Sequence, residues 1–180
     1  MIIGNFGKQM SAENIYYQSP IGLLEIRMED DSITHILFVN TERRNKVDEK
    51  EIRILQPSSP VLNKCIHQLE EYFTGHLKLF DLPLKQEGTE FQKEVWGELS
   101  RIPYGRTINY HELSKRIGNA RAIRAVGSAN GQNHISIIGP CHRVIGSDGS
   151  LVGYGGDLWR KKWLLEHEGK FENGVQSLFS

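Results

Sequence analysis

The strongest constraint on this chain is a change in the spacing of its apolar residues. Between Tyr16 and Asn40 the pattern suits strands. Leu24 and Ile26 alternate with polar neighbours, and Ile33 to Val39 forms a second apolar run after Asp30-Asp31. Ser19-Pro20-Ile21-Gly22 is a turn signal, so this stretch predicts a hairpin or meander. From Pro60 the spacing becomes helical. Leu62, Cys65, Ile66, Leu69, Tyr72 and Phe73 recur on one face, and Gly75 ends the pattern. Thr41 to Glu51, rich in charge, predicts an exposed loop or irregular helix, and Phe80 to Gln86, with Pro83, an extended linker.

A second unit begins near Gly88. Thr89 and Gln92 fit a capping box, followed by Phe91, Val95 and Leu99 at helical spacing. Ile102-Pro103-Tyr104-Gly105 breaks that helix. Asn109 and Glu112 mark another helix start, with Leu113 and Ile117 facing inward and Gly118 just past its end. A further helix is predicted from about Ala120 to Ala129, closed by Asn130-Gly131. Two short helices joined so tightly predict a helix-turn-helix. The small residues of the second helix, Ala122, Ala125, Gly127, Ser128 and Ala129, suit close approach to a neighbouring helix or to a nucleic-acid groove equally well. Arg121 and Arg124 favour the groove, because a purely buried helix would not carry both. Ile135 to Ile138 predicts a buried strand that delivers Pro140-Cys141-His142-Arg143. Ser147-Asp148-Gly149 turns the chain, Gly153-Tyr154-Gly155-Gly156 forms a loop, and a last helix runs from near Asp157 to just before Gly169.

At 180 residues the chain has room for one or two small domains with a core. Its 38% hydrophobic and 24% charged residues are those of a soluble globular protein. No apolar run approaches the roughly 20 residues of a membrane helix, and polar residues interrupt Met1 to Met10, so no signal peptide is expected. The formal net charge of zero argues weakly against nucleic acid. Its distribution argues the other way. Arg101, Arg106, Lys115, Arg116, Arg121, Arg124 and Arg143 share a stretch whose only acid is Glu112. A solvated surface would explain such a segment as well. The two cysteines, Cys65 and Cys141, are too few for a disulfide scaffold and lack zinc-site spacing. Cys65 lies on an apolar helical stripe and reads as a buried structural thiol. His35, His67 and His76 are scattered and suit surface or packing roles.

Cys141 is different. It precedes a histidine at the end of an apolar segment, where a nucleophile can be held near a base. A free thiol is only a few per cent ionised at neutral pH and needs activation. A histidine could take its proton directly or through a water, oriented by a buried carboxylate. The dipeptide alone is weak evidence, since neighbours on a strand face opposite ways.

The context is more specific. Ile138-Gly139-Pro140-Cys141-His142-Arg143-Val144-Ile145 resembles the active-site signature of the O6-alkylguanine-DNA alkyltransferases. Gly88-Thr89-Glu90-Phe91-Gln92 with Val95-Trp96, Ile102 to Thr107, Arg121 to Gly127, Gly153 to Gly156 and Trp163 to Gly169 resemble other motifs of that family in the same order. Ser19-Pro20-Ile21-Gly22 and Glu71-Tyr72-Phe73-Thr74-Gly75 extend the similarity into the first half, so that it spans about residues 15 to 170.

The resemblance implies an α/β N-terminal domain of ribonuclease H-like fold over residues 1–86. A mainly α winged helix-turn-helix domain, which binds DNA and accepts the alkyl group, would cover residues 87–180. It implies a single, irreversible transfer of an alkyl group from O6-alkylguanine, and from O4-alkylthymine, in double-stranded DNA to Cys141, after nucleotide flipping through the minor groove. His142 would activate Cys141 through a water, and Glu168 would back His142. Tyr110, Arg121, Arg124, Ala125, Gly127 and Ser128 would meet DNA, with Arg124 filling the gap left by the flipped base. Tyr154, Asn133, Val144, Ser147 and Gly155 would form the substrate pocket, with Asn133 as hinge and Tyr154 donating to the departing guanine. No cofactor, metal or membrane is implied. The chain is expected to act as a monomer inside the cell, in the cytoplasm or in a nucleus.

Three positions depart from the family pattern. Gly139 stands where a bulkier apolar residue is usual, His134 where proline is common, and Gly155 where some members have a small hydroxyl residue. The first two are expected to loosen the active-site strand or its hinge. Three rival readings remain at this point: a damage-binding relative without transfer, which would lack the cysteine; a winged-helix regulator, which would not need Cys141; and a cysteine hydrolase, which would need an oxyanion hole.

Overall fold

A computed structural model describes residues 12–42 and 59–172. Most of the charge-rich segment after Thr41 lies outside the described residues. Strands β1 (Ala12–Ser19), β2 (Gly22–Glu29) and β3 (Ser32–Phe38) form the expected antiparallel meander. The first turn is Pro20-Ile21, pairing Ser19 with Gly22. The second is Asp30-Asp31, both at positive φ (50° and 59°). That is the backbone a two-residue turn needs to match strand twist, and aspartate tolerates it better than most residues. Helix α1 (Pro60–Phe73) is capped by Ser59, carries proline in its first turn, and buries Leu62, Cys65, Leu69 and Tyr72. It packs on β1 and β3.

The second unit is helical. α2 (Glu90–Ser100) has the expected reciprocal cap between Thr89 and Gln92. α3 (Tyr110–Arg116) is capped by Asn109, and Gly118 follows it at φ +72°. α4 (Ile123–Gly131) starts three residues later than the sequence predicts. Asn119 explains the delay: its carbonyl and side chain accept from the backbone N–H groups of Ala122 and Arg121 and hold them in a turn. α4 ends at Gly131, within the Asn130-Gly131 pair expected to close it. α5 (Leu158–Glu172), by contrast, runs through Gly169. An interior glycine costs a helix about 1 kcal/mol, and burial of Leu164, His167 and Glu168 outweighs it. A two-residue parallel pair, β4 (Ile108–Asn109) with β5 (Val144–Ile145), ties the start of α3 to the residues after Cys141.

The two units share one continuous core. Their seam is the free edge of β3. Ile33 pairs with the linker, donating to Pro83 O (2.8 Å) and accepting from Lys85 N (2.9 Å). Ile36 pairs with the segment before Cys141, donating to His134 O (2.9 Å) and accepting from Ser136 N (2.7 Å). A row of unpaired backbone groups on that edge is thereby satisfied. His134 stacks on His35 across this seam, with ring centres 5.1 Å apart.

The anticipated strand over Ile135–Ile138 does not form. Only Ile135 makes a bridge, to Ile36. Residues 136–138 turn, with Ile137 at φ +73°. The cause is Asn133. Its amide nitrogen donates to Ile135 O (3.1 Å) and Gly139 O (2.7 Å), and its oxygen accepts from Ile135 N (3.2 Å). Those backbone groups are then unavailable to a ladder. Cys141–Arg143 is a single 3-10 turn, not a strand end.

α4 is held from behind by Trp96, whose ring nitrogen donates to Ala129 O at 2.8 Å. Trp96→Phe removes that bond and is expected to cost about 1–2 kcal/mol. Urea denaturation measures it, and an unchanged midpoint would show that packing alone seats α4.

Candidate active site

Cys141 is 5% exposed and faces a cavity of about 30 Å³. Phe38, Asn133, Ser136, Tyr154 and Gly155 share the lining. Burial pushes the Cys141 thiol up. The Asn133 side chain, the Lys161 charge and the backbone N–H groups of Cys141 and His142 pull it down. Cys65, by contrast, is simply buried and raised to about 12, as suits a structural thiol.

His142 is fully buried, with Nε2 2.7 Å from Glu168 Oε1. The same carboxylate accepts from Tyr72 Oη (2.9 Å), Arg143 Nε (2.9 Å), Arg143 Nη2 (3.0 Å) and Gly105 N (3.1 Å). Burial alone would raise the Glu168 carboxyl. His142 and Arg143 reverse that and hold it well below the ordinary range. An ionised carboxylate can only accept, so Nε2 of His142 carries a proton. In the neutral ring the basic lone pair is then on Nδ1. Nδ1 is buried and has no hydrogen-bond partner among the described residues. Burial lowers the imidazole's pKa, Glu168 opposes the shift, and Arg143 and Lys161 add to it. The pair is therefore a neutral base with an anion behind it.

Arg143 belongs to this network and not to the surface. It is 7% exposed, paired with Glu168, and donates to Ile102 O at 2.6 Å. Its place in the basic segment is misleading for that reason. The others have a different setting: Arg121 and Arg124 are exposed beside Ala125 and Ser128, while Val126, Ala129 and Asn130 turn inward. The small residues of α4 thus divide between its two faces, with Ala129 packed inward and Ala125 and Ser128 exposed. Gly127 is half-buried under the Tyr110 ring, where an added Cβ would still have 3.8 Å. Tyr110 donates to Val152 O at 3.3 Å, and Asn130 Nδ2 lies 3.5 Å from its hydroxyl.

Of the five expected pocket residues, Tyr154, Asn133 and Gly155 line the cavity with Cys141. Val144 is buried in β5, where its carbonyl accepts from Lys161, and Ser147 is exposed on the following turn. Burial pushes the Tyr154 phenol well above its ordinary value, Cys141 adds to this, and Ser136 opposes it. Its hydroxyl keeps its proton at neutral pH. Gly139 fits its place closely. A Cβ there would come within 3.0 Å of Ile135 O and 3.1 Å of the Asn133 amide. Gly155 has room to spare, the nearest atom to such a carbon being 3.7 Å away.

Sequence reasoning missed Lys161, which is fully buried and donates to Val144 O and Val152 O, both at 2.6 Å. Burial lowers it to about 8, and Cys141 opposes that shift. A lysine in a run of charges gives no sign of this. Phe38 and Tyr72 were likewise read only as core positions.

His142 and Glu168 both lie below their ordinary values, so the unfolded chain binds more protons than the folded one in acid. Stability is expected to be complete above the ordinary histidine value of about 6.5. It should fall as pH drops through that value, and again below the ordinary carboxylate value of about 4.3. Glu168→Gln leaves Arg143 buried without its anion and should cost about 3–5 kcal/mol at neutral pH. Urea midpoints from pH 4 to 8 test both statements, and a flat profile for the unaltered protein would contradict them.

Comparison with known proteins gives a consistent picture. Residues 14–86 match the family model of the 6-O-methylguanine DNA methyltransferase ribonuclease-like domain, and residues 90–170 match that of its DNA-binding domain. The methylated-DNA–protein-cysteine methyltransferase of Methanosarcina acetivorans is 43% identical over 153 residues, covering 85% of this chain and 96% of the relative. The constitutive enzyme of Bacillus subtilis is 45% identical over 150 residues, covering 82% and 89%. The crystal structure of Mycobacterium tuberculosis O6-methylguanine methyltransferase superposes with a TM-score of 0.77 at 40% identity, covering 89% of this chain and 94% of that one. A crystal structure of the M. tuberculosis protein in complex with DNA gives 0.77 at 41% identity, covering 88% and 93%. With both halves matched and a cysteine, a histidine and a carboxylate brought together in the second, the chain belongs to the 6-O-methylguanine DNA methyltransferase family.

Proposed function

We propose that this protein repairs DNA by direct reversal, moving the alkyl group of O6-alkylguanine, and of O4-alkylthymine, onto Cys141. The observation that carries the reading is the cavity itself. Its one nucleophile, Cys141, precedes a buried histidine whose partner is an ionised carboxylate. The relatives named above are methylated-DNA–protein-cysteine methyltransferases, which supports the same chemistry here.

The step is a displacement at the alkyl carbon. The Cys141 proton passes through a water to Nδ1 of His142, and Glu168 stabilises the resulting imidazolium. The thiolate forms the S–C bond as the C–O6 bond breaks, and the electron pair stays on guanine. Tyr154, a protonated phenol at the cavity wall, donates to that departing anion. The thioether is stable and nothing in the site removes it, so one molecule repairs one lesion.

A guanine does not fit in about 30 Å³, so the cavity must open to receive it. Tyr154, Gly155 and Gly156 line the cavity, and the loop that carries them is the element to move. A base buried in a duplex must be flipped out at a cost of a few kcal/mol. The exposed face of α4, with Arg121, Arg124, Ala125 and Ser128, faces DNA in this reading. Tyr110 and Gly127 abut it, and Arg124 fills the vacated position through the minor groove. α3 and α4 then form a winged helix-turn-helix, and the meander with α1 a ribonuclease H-like unit. Their boundary falls at 86/87, and the protein acts as a monomer.

Incubation with a duplex oligonucleotide carrying O6-methylguanine should add the mass of one methyl group per protein, and none in Cys141→Ala. More than one turnover would point to a hydrolase, and no mass change to a binding protein. Arg124→Ala should slow repair of duplex DNA at least tenfold, with little effect on reaction with a free O6-alkylguanine base. Equal losses on both substrates would remove the role assigned to Arg124.

A further inference from the structure

The N-terminal unit has no catalytic residues in the reading above, yet one of its side chains reaches the centre of the site. Tyr72, in the last turn of α1, is fully buried. Its hydroxyl donates to Glu168 Oε1 at 2.9 Å, the same oxygen that holds His142. Its backbone carbonyl accepts from His167 Nε2 at 2.8 Å. Two consecutive residues of α5 thus grip one residue of α1. The ring packs edge-on against Tyr104, with centres 6.0 Å apart. A tyrosine serving only to fill the core could leave its hydroxyl elsewhere. This one is spent on the carboxylate that backs the base.

We propose that Tyr72 is a positioning residue for alkyl transfer: its phenol shares Glu168 with His142 and sets how strongly that carboxylate draws a proton onto the imidazole. The inference rests on the relay described under the proposed function. Hydrogen bonds to a carboxylate spread its charge and make it a weaker partner for a neighbouring cation. With the phenol present, Glu168 orients His142 without trapping a proton on it. Without the phenol, the carboxylate pulls harder and the imidazolium persists to higher pH. The other groups facing this pair are Arg143, Lys161 and Tyr104, with His167 beside Glu168 on α5. All remain in the variants below, so a shift reports on Tyr72.

The test uses the full chain in three forms: unaltered, Tyr72→Phe, and with 3-fluorotyrosine placed at position 72 alone. The fluorinated phenol is more acidic, hence a stronger donor, and keeps the ring. The first readout is the NMR titration of the His142 ring without DNA. The second is the pH dependence of methyl transfer from an O6-methylguanine duplex, followed by intact mass. The phenylalanine form is expected to move the His142 midpoint and the acid limb of the rate profile up by about half a pH unit. The fluorinated form is expected to move both down. Simple loosening of the core would not produce opposite shifts. Coincident midpoints in all three forms, or shifts of one sign, would overturn the proposal. If Tyr72→Phe does not fold, the fluorinated form alone decides. If the unaltered protein transfers no methyl group, the transfer reading fails, while the DNA-free titration still tests Tyr72.

Discussion

The buried carboxylate of Glu168 is the point on which the structure depends. It is fully shielded from solvent and accepts from Tyr72, Gly105, His142 and twice from Arg143. These donors come from α1, the turn after α2, and the 3-10 turn that begins with Cys141. A buried charge lacking such partners is costly enough to prevent folding. Satisfying it therefore forces the three segments together around α5. The pairing of His142 with Glu168 and the packing of α1 on α5 therefore meet at one carboxylate.

The segment that holds the nucleophile is irregular for a related reason. A strand from Ile135 would point Cys141 and His142 to opposite faces. The 3-10 turn allows Cys141 to face the cavity while His142 points back to Glu168. Asn133 holds this path by bonding Ile135 and Gly139, and Gln86 in turn donates to the Asn133 oxygen at 2.8 Å. Ile137 takes up the strain. A β-branched residue at φ +73° costs roughly 1–3 kcal/mol and persists only where its surroundings impose it. A side chain at Gly139 would come within 3.1 Å of the Asn133 amide, so a larger residue there requires Asn133 to shift.

Elements governed by local signals were legible in the sequence. The Asp30-Asp31 turn, the helix start at Pro60, the Asn109 cap, the Thr89–Gln92 box and Gly118 all depend on neighbours within a few residues, and each formed as its residue types dictate. The pairing of His142 with Glu168 was legible only through family resemblance, since no spacing rule connects residues so far apart. What escaped was settled at long range. Arg143 looks like a surface cation beside Arg121 and Arg124 because a sequence does not show that Glu168 waits beneath it. Ile135–Ile138 has the composition of a strand, and the competing claim of one asparagine on its backbone is invisible to periodicity. Lys161 and Tyr72 give no warning at all, because a buried lysine and a core tyrosine look like any others until their partners are known.

α3, α4 and Cys141 are joined by Asn130. It sits at the inward end of α4, and its amide nitrogen lies 3.5 Å from the Tyr110 hydroxyl and 3.4 Å from Cys141 O. Tyr110 in turn bonds Val152 O, and Lys161 bonds the same carbonyl together with Val144 O. A displacement of Tyr110 or α4 therefore reaches the backbone of Cys141 and the chain leading into Gly153–Gly156 through two or three hydrogen bonds. Coupling of that kind needs a contiguous set of contacts with more than one arrangement available. The closed cavity supplies the second requirement, because admitting a base demands an open form. Under the proposed function, Tyr110 would join contact with the duplex to its own bond on Val152, next to the loop Gly153–Gly156.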